Sequence, residues 1–318
     1  MAGDKFKNPF QEKVKKSLLD VILWQIGYFN DQEMRPKPPQ GFTYPRPDEM
    51  DKEGGAFATF INHSTYLIEA DGVNILTDPI YSKRCSPVPF IGPKRQHAPG
   101  VAFDNLPEIH IVLMSHDHYD HLCKQTVKRL HKRFPNIEWI VPTGLKKWFN
   151  RLGISKVVEL AWWEHFILKE KGINITAVPS QHFSGRFGWH SNKTLWAGYV
   201  VEFQKISKRF YFVGDTGYNS KDFRRIGERF GSMDLSLIPI GTYTPLEFMA
   251  PVHISPERAV DIHCETRSSL SLGMHWKTFK LSSEGLDQPP YDLYCEMRRR
   301  NLNPSQFLPI EPGERVKW

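Results

Sequence analysis

The chain has 318 residues, 40% of them hydrophobic and 24% charged, enough to bury a full-sized core and too apolar for wholesale disorder. Its net charge of +7 favours anionic partners such as phospholipid headgroups, phosphate esters or nucleic acid. Cys85, Cys123, Cys264 and Cys295 lack any CxxC spacing, which argues against a disulfide framework or zinc–thiolate site and for free thiols in a reducing compartment.

No secretory signal opens the chain, and no run reaches the ~18 apolar residues of a membrane span, so an intracellular protein is expected. Residues 1–48 stand apart. Lys5, Lys7, Lys13, Lys15 and Lys16 precede a largely apolar run from Leu18 to Phe29, interrupted by Asp20 and Gln25. That run reads as a helix lying in a lipid interface with lysines at the headgroups, or equally as an ordinary helix docked on a domain. The Pro-rich "RPKPPQGFTYPRP" follows as a connector, and residues 49–318 then read as one domain.

Strands dominate from residue 56. "AFATFIN", "STYLIEA" and "VNILTD" alternate or run apolar, with Asp71-Gly72 as the turn of a hairpin between the last two. The apolar "IHIVLMS" empties into "HDHYDH", after which Cys123, Val127, Leu130 and Phe134 mark a helix. Strand "EWIVPT", helix "LKKWFNRLG" stopped by Gly153, and strand "VVEL" continue the alternation. "NITAVPSQH", "WAGYVVEFQ", "RFYFVGDT" and "DLSLIPIG" add strands, "SPERAVDIHCE" a helix with Ser255 as N-cap, and "SLSLGMHW" closes the set. The expected class is α/β, with two sheets packed face to face and helices outside.

The chemistry concentrates at the ends of these strands. His116 and His118, two apart at a strand end, point the same way and suit one cation; Asp120 and His121 sit on the following bend and suit a second. His182, Asp215 and His275 each follow another apolar strand, with Gly214 and Gly217 letting the backbone approach closely. Imidazole and carboxylate fit Zn²⁺, and also Fe or Mn²⁺; Asp215, with two oxygens, is the natural bridge between two metals.

"SHDHYDH", "PSQH", "GDTGY" and "MHW" resemble the ligand series of the metallo-β-lactamase superfamily, which implies a four-layer αββα sandwich. The superfamily pattern implies one metal on His116, His118 and His182, another on Asp120, His121 and His275, and Asp215 on both, hence two Zn²⁺ per chain. "LTDPIYSKRCSP", "IGPKR", "ELAWWE", "FVGDTGY", "RFGSMDLSLIPIGTY" and "MHWKTF" are similar to the N-acylphosphatidylethanolamine-hydrolysing phospholipases D. That resemblance implies attack on phosphorus by a metal-bridged hydroxide, releasing N-acylethanolamine and phosphatidic acid, with Asp120 in the catalytic centre. It places Tyr119 and His253 at the headgroup, puts Asp78 in a turn under the metals, and suggests a homodimer. His253 then steadies the phosphate or acts as general acid; read from the sequence alone, it is equally a structural residue beside the Ser255 cap. Trp24, Phe29, Trp162 and Trp163 are candidate acyl-chain guides, though Trp162 and Trp163 read more simply as core.

The substrate expected is an anionic lipid met by an enzyme peripheral on the cytosolic face of a membrane. The alternative keeps the fold and takes a soluble sugar phosphate or nucleotide, as a phosphodiesterase or lactonase. Nucleic acid is not expected as a partner, since the basic residues are dispersed apart from Arg298–Arg300. The phosphohistidine route of H-x-K-x(4)-D phospholipases is excluded, because after His275 and Lys277 the place of the Asp is taken by Ser282.

Overall fold

The computed structural model describes residues 5–11, 35–46, 55–88, 90–186 and 191–318. The apolar run Leu18–Phe29, and with it Trp24 and the interfacial helix, lies outside the described residues.

Two seven-stranded sheets face each other. The first has the order β14-β1-β2-β3-β4-β5-β6, built from β1 (Phe57–Asn62), β2 (Thr65–Ala70), β3 (Val73–Thr77), β4 (Ile111–Leu113), β5 (Glu138–Pro142), β6 (Val157–Leu160) and β14 (Arg315–Lys317). The second runs β13-β12-β11-β10-β9-β8-β7, from β7 (His165–Leu168), β8 (Ile173–Val178), β9 (Gly198–Phe203), β10 (Lys208–Phe212), β11 (Met233–Pro239), β12 (Ser268–Met274) and β13 (Phe307–Leu308). Helices α1 (Lys124–Arg133) and α2 (Lys146–Asn150) follow strands of the first sheet. Helices α3 (Ser220–Phe230), α4 (Leu246–Met249), α5 (Pro256–Glu265) and α6 (Gln288–Arg299) belong with the second, completing the αββα arrangement.

The period of two along each strand explains the layering. Ala58 and Phe60 of β1, Tyr66 and Ile68 of β2, and Ile111 and Leu113 of β4 enter the core between the sheets. Their neighbours Ile61, Leu67 and Val112 turn the other way, into a second core with Val127 and Leu130 of α1 and Phe149 of α2. The Asp71-Gly72 turn takes φ +47° and +69° and joins β2 to β3 as an antiparallel hairpin, as its sequence signals.

Three expectations change. "SLSLGMHW" does not close the set: α6 follows, β13 then joins β12, and β14 returns to β1, so the C-terminus completes both sheets. Helix α3 and strand β7 are additional elements. Ser255 stands at the N-cap of α5, but its side chain makes no capping bond; its carbonyl accepts from Ala259 N at 2.9 Å. The Pro-rich connector is packed down. Phe42 meets the rings of Tyr291 and Tyr294 on α6, and Arg35 bonds Glu257 and Asp292, both at 2.9 Å. Of the Arg298–Arg300 run, Arg299 pairs with Glu296 and Arg300 with Asp261. Trp162 donates to the carbonyl of Trp196 at 2.6 Å and, with Trp163, packs on the inter-sheet core, the simpler of its two readings.

Candidate metal centre

Strand direction sets the site. In the first sheet β1 and β3 each run antiparallel to β2, and β4 runs parallel to β3. In the second, β8 and β10 each run antiparallel to β9, while β11 and β12 run parallel to β10. Within each sheet, therefore, the carboxyl ends of these strands share one edge, the usual place for a ligand site in an α/β sheet. β1 delivers His63, β3 Asp78, β4 the segment Ser115–Leu122, β8 His182, β10 Asp215, the loop after β11 His253, and β12 His275. The two edges are stitched together by His275 N donating to His63 O at 2.8 Å and Ala197 N to Ser115 O at 2.9 Å.

All seven residues expected to hold metal meet there. His116 Nε2 lies 2.8 Å from His118 Nδ1, which lies 3.2 Å from His182 Nε2. Asp120 Oδ2 lies 3.3 Å from His121 Nε2 and 3.4 Å from His275 Nε2. Asp215 Oδ2 stands between the two groups, 3.0 Å from His275, 3.2 Å from His121 and 3.9 Å from His182. Ligands ~2.0–2.1 Å from a tetrahedral ion sit roughly 3.3 Å from one another, so either triad can hold one.

The hydrogen bonds fix which nitrogen faces inward. His121 gives its Nδ1 proton to Asp78 Oδ2 at 2.6 Å, and His182 gives its own to the carbonyl of Val252 at 2.8 Å. Ser115 Oγ donates to Asp78 Oδ2 and accepts from His116 Nδ1 at 2.8 Å, so one buried carboxylate orients two imidazoles. Each Nε2, once unprotonated, directs a lone pair into the site. His121 Nε2, both ring nitrogens of His275 and Asp215 Oδ1 are buried without a hydrogen-bond partner in the protein. Converging, unpaired donor atoms of this kind fit a cation and little else. The backbone carries matching strain: His63, Asp78 and His275 sit at φ +47°, +32° and +60°, costing of order 1–3 kcal/mol each. Gly217 is required where it stands, because a Cβ there would come within 2.5 Å of the Pro251 carbonyl.

Charge follows burial and neighbours. Burial, with His182 alongside, lowers His118 to about 3; burial also outweighs Asp215 at His182, lowering it to about 4. At His121 burial opposes charge, but Asp215, Asp120 and Asp78 outweigh it and hold the ring well above the usual range. His275 is likewise raised to about 9, by Asp215 and Asp120 against burial. Both carboxylates stay well below the usual range because His121 and its neighbours overcome their burial. His121 and His275 thus carry protons at neutral pH that a metal must displace. Metal affinity is expected to rise with pH up to about 9, where His275 releases its proton, with about two protons leaving per loaded chain. Titration of zinc into the metal-free protein in a weakly buffered indicator measures this; pH-independent uptake would contradict it.

His63 escaped the sequence reading. Buried and lowered to about 3 by burial and by His275, it is neutral and donates from Nε2 to Asp120 Oδ2 at 3.0 Å. Its signal was present in "FINHST", a histidine directly after an apolar strand like the others. His253 lines the same site, with Nδ1 3.8 Å from Asp215 Oδ2, and burial holds it well below the usual histidine range. Tyr119 does not join the metal cluster; its ring lies under the Arg186 guanidinium, 4.0 Å from the centroid. Asp78→Asn keeps the shape but loses an acceptor for His121 or Ser115. We expect metal affinity to fall ~10–100-fold, read by chelator competition.

Residues 73–276 match the beta-lactamase superfamily domain. The N-acyl-phosphatidylethanolamine-hydrolyzing phospholipase D 1 of Caenorhabditis elegans is 39% identical over 276 residues, 84% of this chain and 77% of that protein. A mitochondrial protein of the same name from Saccharomyces cerevisiae is 34% identical over 236 residues, 73% of this chain and 50% of that protein. Among solved structures, a metallo hydrolase of the archaeon Ignicoccus hospitalis superposes with a TM-score of 0.61 at 19% identity, over 82% of this chain and 97% of its own.

Proposed function

The chain belongs to the beta-lactamase superfamily of metal-dependent hydrolases and, within it, to the N-acylphosphatidylethanolamine-hydrolysing phospholipase D family, and on that footing we propose that it hydrolyses N-acylphosphatidylethanolamine to N-acylethanolamine and phosphatidic acid. The observation that carries this reading is the pair of largely buried triads, His116–His118–His182 and Asp120–His121–His275, with Asp215 Oδ2 between them. We assign one Zn²⁺ to each triad, with Fe or Mn²⁺ accepting the same donors. Bound there, such ions supply Lewis acidity: a water acidic enough to react at neutral pH, and neutralised charge on phosphate oxygens.

The chain's own groups do the rest. His63 and Asp78 hold the donor atoms in register. Water adds to phosphorus, the P–O bond to the acylated ethanolamine breaks, and that oxygen leaves with a proton. His253 is held neutral at pH 7 by its burial, which favours hydrogen bonding to the phosphate over a general-acid role. Tyr119, beside Arg186, is assigned to the headgroup on its place in the motif. Residues 49–318 form the catalytic unit in this reading.

We place the enzyme peripherally on an anionic membrane face. Among the described residues, no helix is long and apolar enough to cross a membrane. Phe90 and Ile91 are 71% and 63% exposed at the tip of a loop that carries Lys83, Arg84, Lys94 and Arg95 and no acidic residue between Asp78 and Asp104. Apolar tips flanked by cations suit a lipid surface. The test is incubation with vesicles containing N-acylphosphatidylethanolamine, with and without a chelator. Equal, metal-dependent release of N-acylethanolamine and phosphatidic acid is expected. Cleavage of soluble phosphodiesters with no lipid product would favour the soluble-substrate alternative.

A further inference from the structure

Residues 5–11 lie far from the metal triads in sequence, yet they bond to the two loops that frame them. Asn8 Nδ2 donates to the backbone carbonyl of His182 at 2.8 Å, while Asn8 Oδ1 accepts from Trp196 Nε1 at 3.0 Å. Gln11 Nε2 donates to the carbonyl of Pro251 at 2.7 Å, where Gln181 Nε2 also donates at 3.1 Å. Between these two carbonyls runs the bond from His182 Nδ1 to Val252 O that sets the direction of the His182 ring. Asn8 therefore holds the backbone of His182, on the loop after β8, and Gln11 holds Pro251, which precedes its partner Val252 on the loop carrying His253. The segment is itself fastened by Phe6 N to Asn192 O at 2.9 Å and by Lys221 over the Phe10 ring.

We propose that this N-terminal segment is a positioning strap, and that Asn8 is a positioning residue which fixes His182 through its backbone carbonyl. The inference rests on His182 being a metal ligand. Without the strap, the His182 loop loses a side-chain anchor on its backbone, and Nε2 wanders relative to His116 and His118. Polar groups that orient a ligand are worth ~10–100-fold in metal affinity. Because His182 is assigned to metal and not to the headgroup, metal affinity and kcat are expected to move while KM stays within about twofold of wild type.

The test uses the full chain loaded with zinc and read by competition with a chelating dye, alongside kcat, KM and melting temperature. Asn8→Ala removes all three side-chain bonds, the third running from Asn8 Nδ2 to Gln11 Oε1; Asn8→Asp keeps the shape and the acceptor for Trp196 but loses the donations to His182 and to Gln11. Both variants are expected to lose zinc affinity ~10-fold or more and to lower kcat, while the exposed Lys7→Ala behaves as wild type. If Asn8→Asp matches wild type in affinity and kcat, whatever Asn8→Ala does, the bond to His182 is immaterial and the proposal falls. A wild-type chain that binds no zinc would instead overturn the metal reading itself.

Discussion

Asp215→Asn is expected to lower turnover at least ~1000-fold and to empty both metal sites together, since loss of metal charge stabilisation is worth several kcal/mol and each 1.36 kcal/mol is a factor of ten. The reason is positional. Asp215 Oδ2 lies within 3.0–3.9 Å of His275, His121 and His182, so it faces both triads. Asparagine keeps the volume and burial but removes the negative charge that holds His121 and His275 around it. Metal content after dialysis and kcat, measured on the same preparation, check the expectation. A variant that keeps two metals and turns over within tenfold of wild type would contradict it.

His182→Ala is the complementary case. It removes one nitrogen from the first triad and leaves Asp120, His121 and His275 of the second untouched. One equivalent of metal is expected to be lost and one retained, with turnover again down ~1000-fold because charge on the phosphate is then met from one side only. Loss of one ion here against two in Asp215→Asn is the signature of two sites with a shared ligand. If both variants lost the same amount of metal, the division into triads would be wrong.

The site was more legible than the fold around it. A strand end followed by histidine or aspartate is a short, local signal, and four separate strand ends carry it; the structure brings His116, His118, Asp120, His121, His182, Asp215 and His275 to one place. His63 carries the same signal directly after β1, yet the sequence alone does not single it out. Its role depends on a contact with Asp120, 57 positions away, that no local pattern announces. Helix α3 was missed for a different reason. Phe223, Ile226 and Phe230 give a sparse apolar stripe, and Gly227 lies inside it, which lowers helix propensity. The glycine is needed because a Cβ there would lie 2.0 Å from the Glu265 carbonyl at the end of α5. Strands β13 and β14 are two and three residues long, too short for periodicity, and exist because β12 and β1 offer them edges. The role of the strap Phe6–Gln11 is not legible in the sequence, since it lies in contacts to two backbone carbonyls more than 170 positions away.

The most direct measurement of the central claim is anomalous diffraction at the zinc edge from crystals of the zinc-loaded protein. Two peaks roughly 3.5–4 Å apart are expected, one within bonding distance of His116, His118 and His182, the other of Asp120, His121 and His275, with Asp215 touching both. A single peak, no peak, or zinc bound away from these side chains would contradict the account.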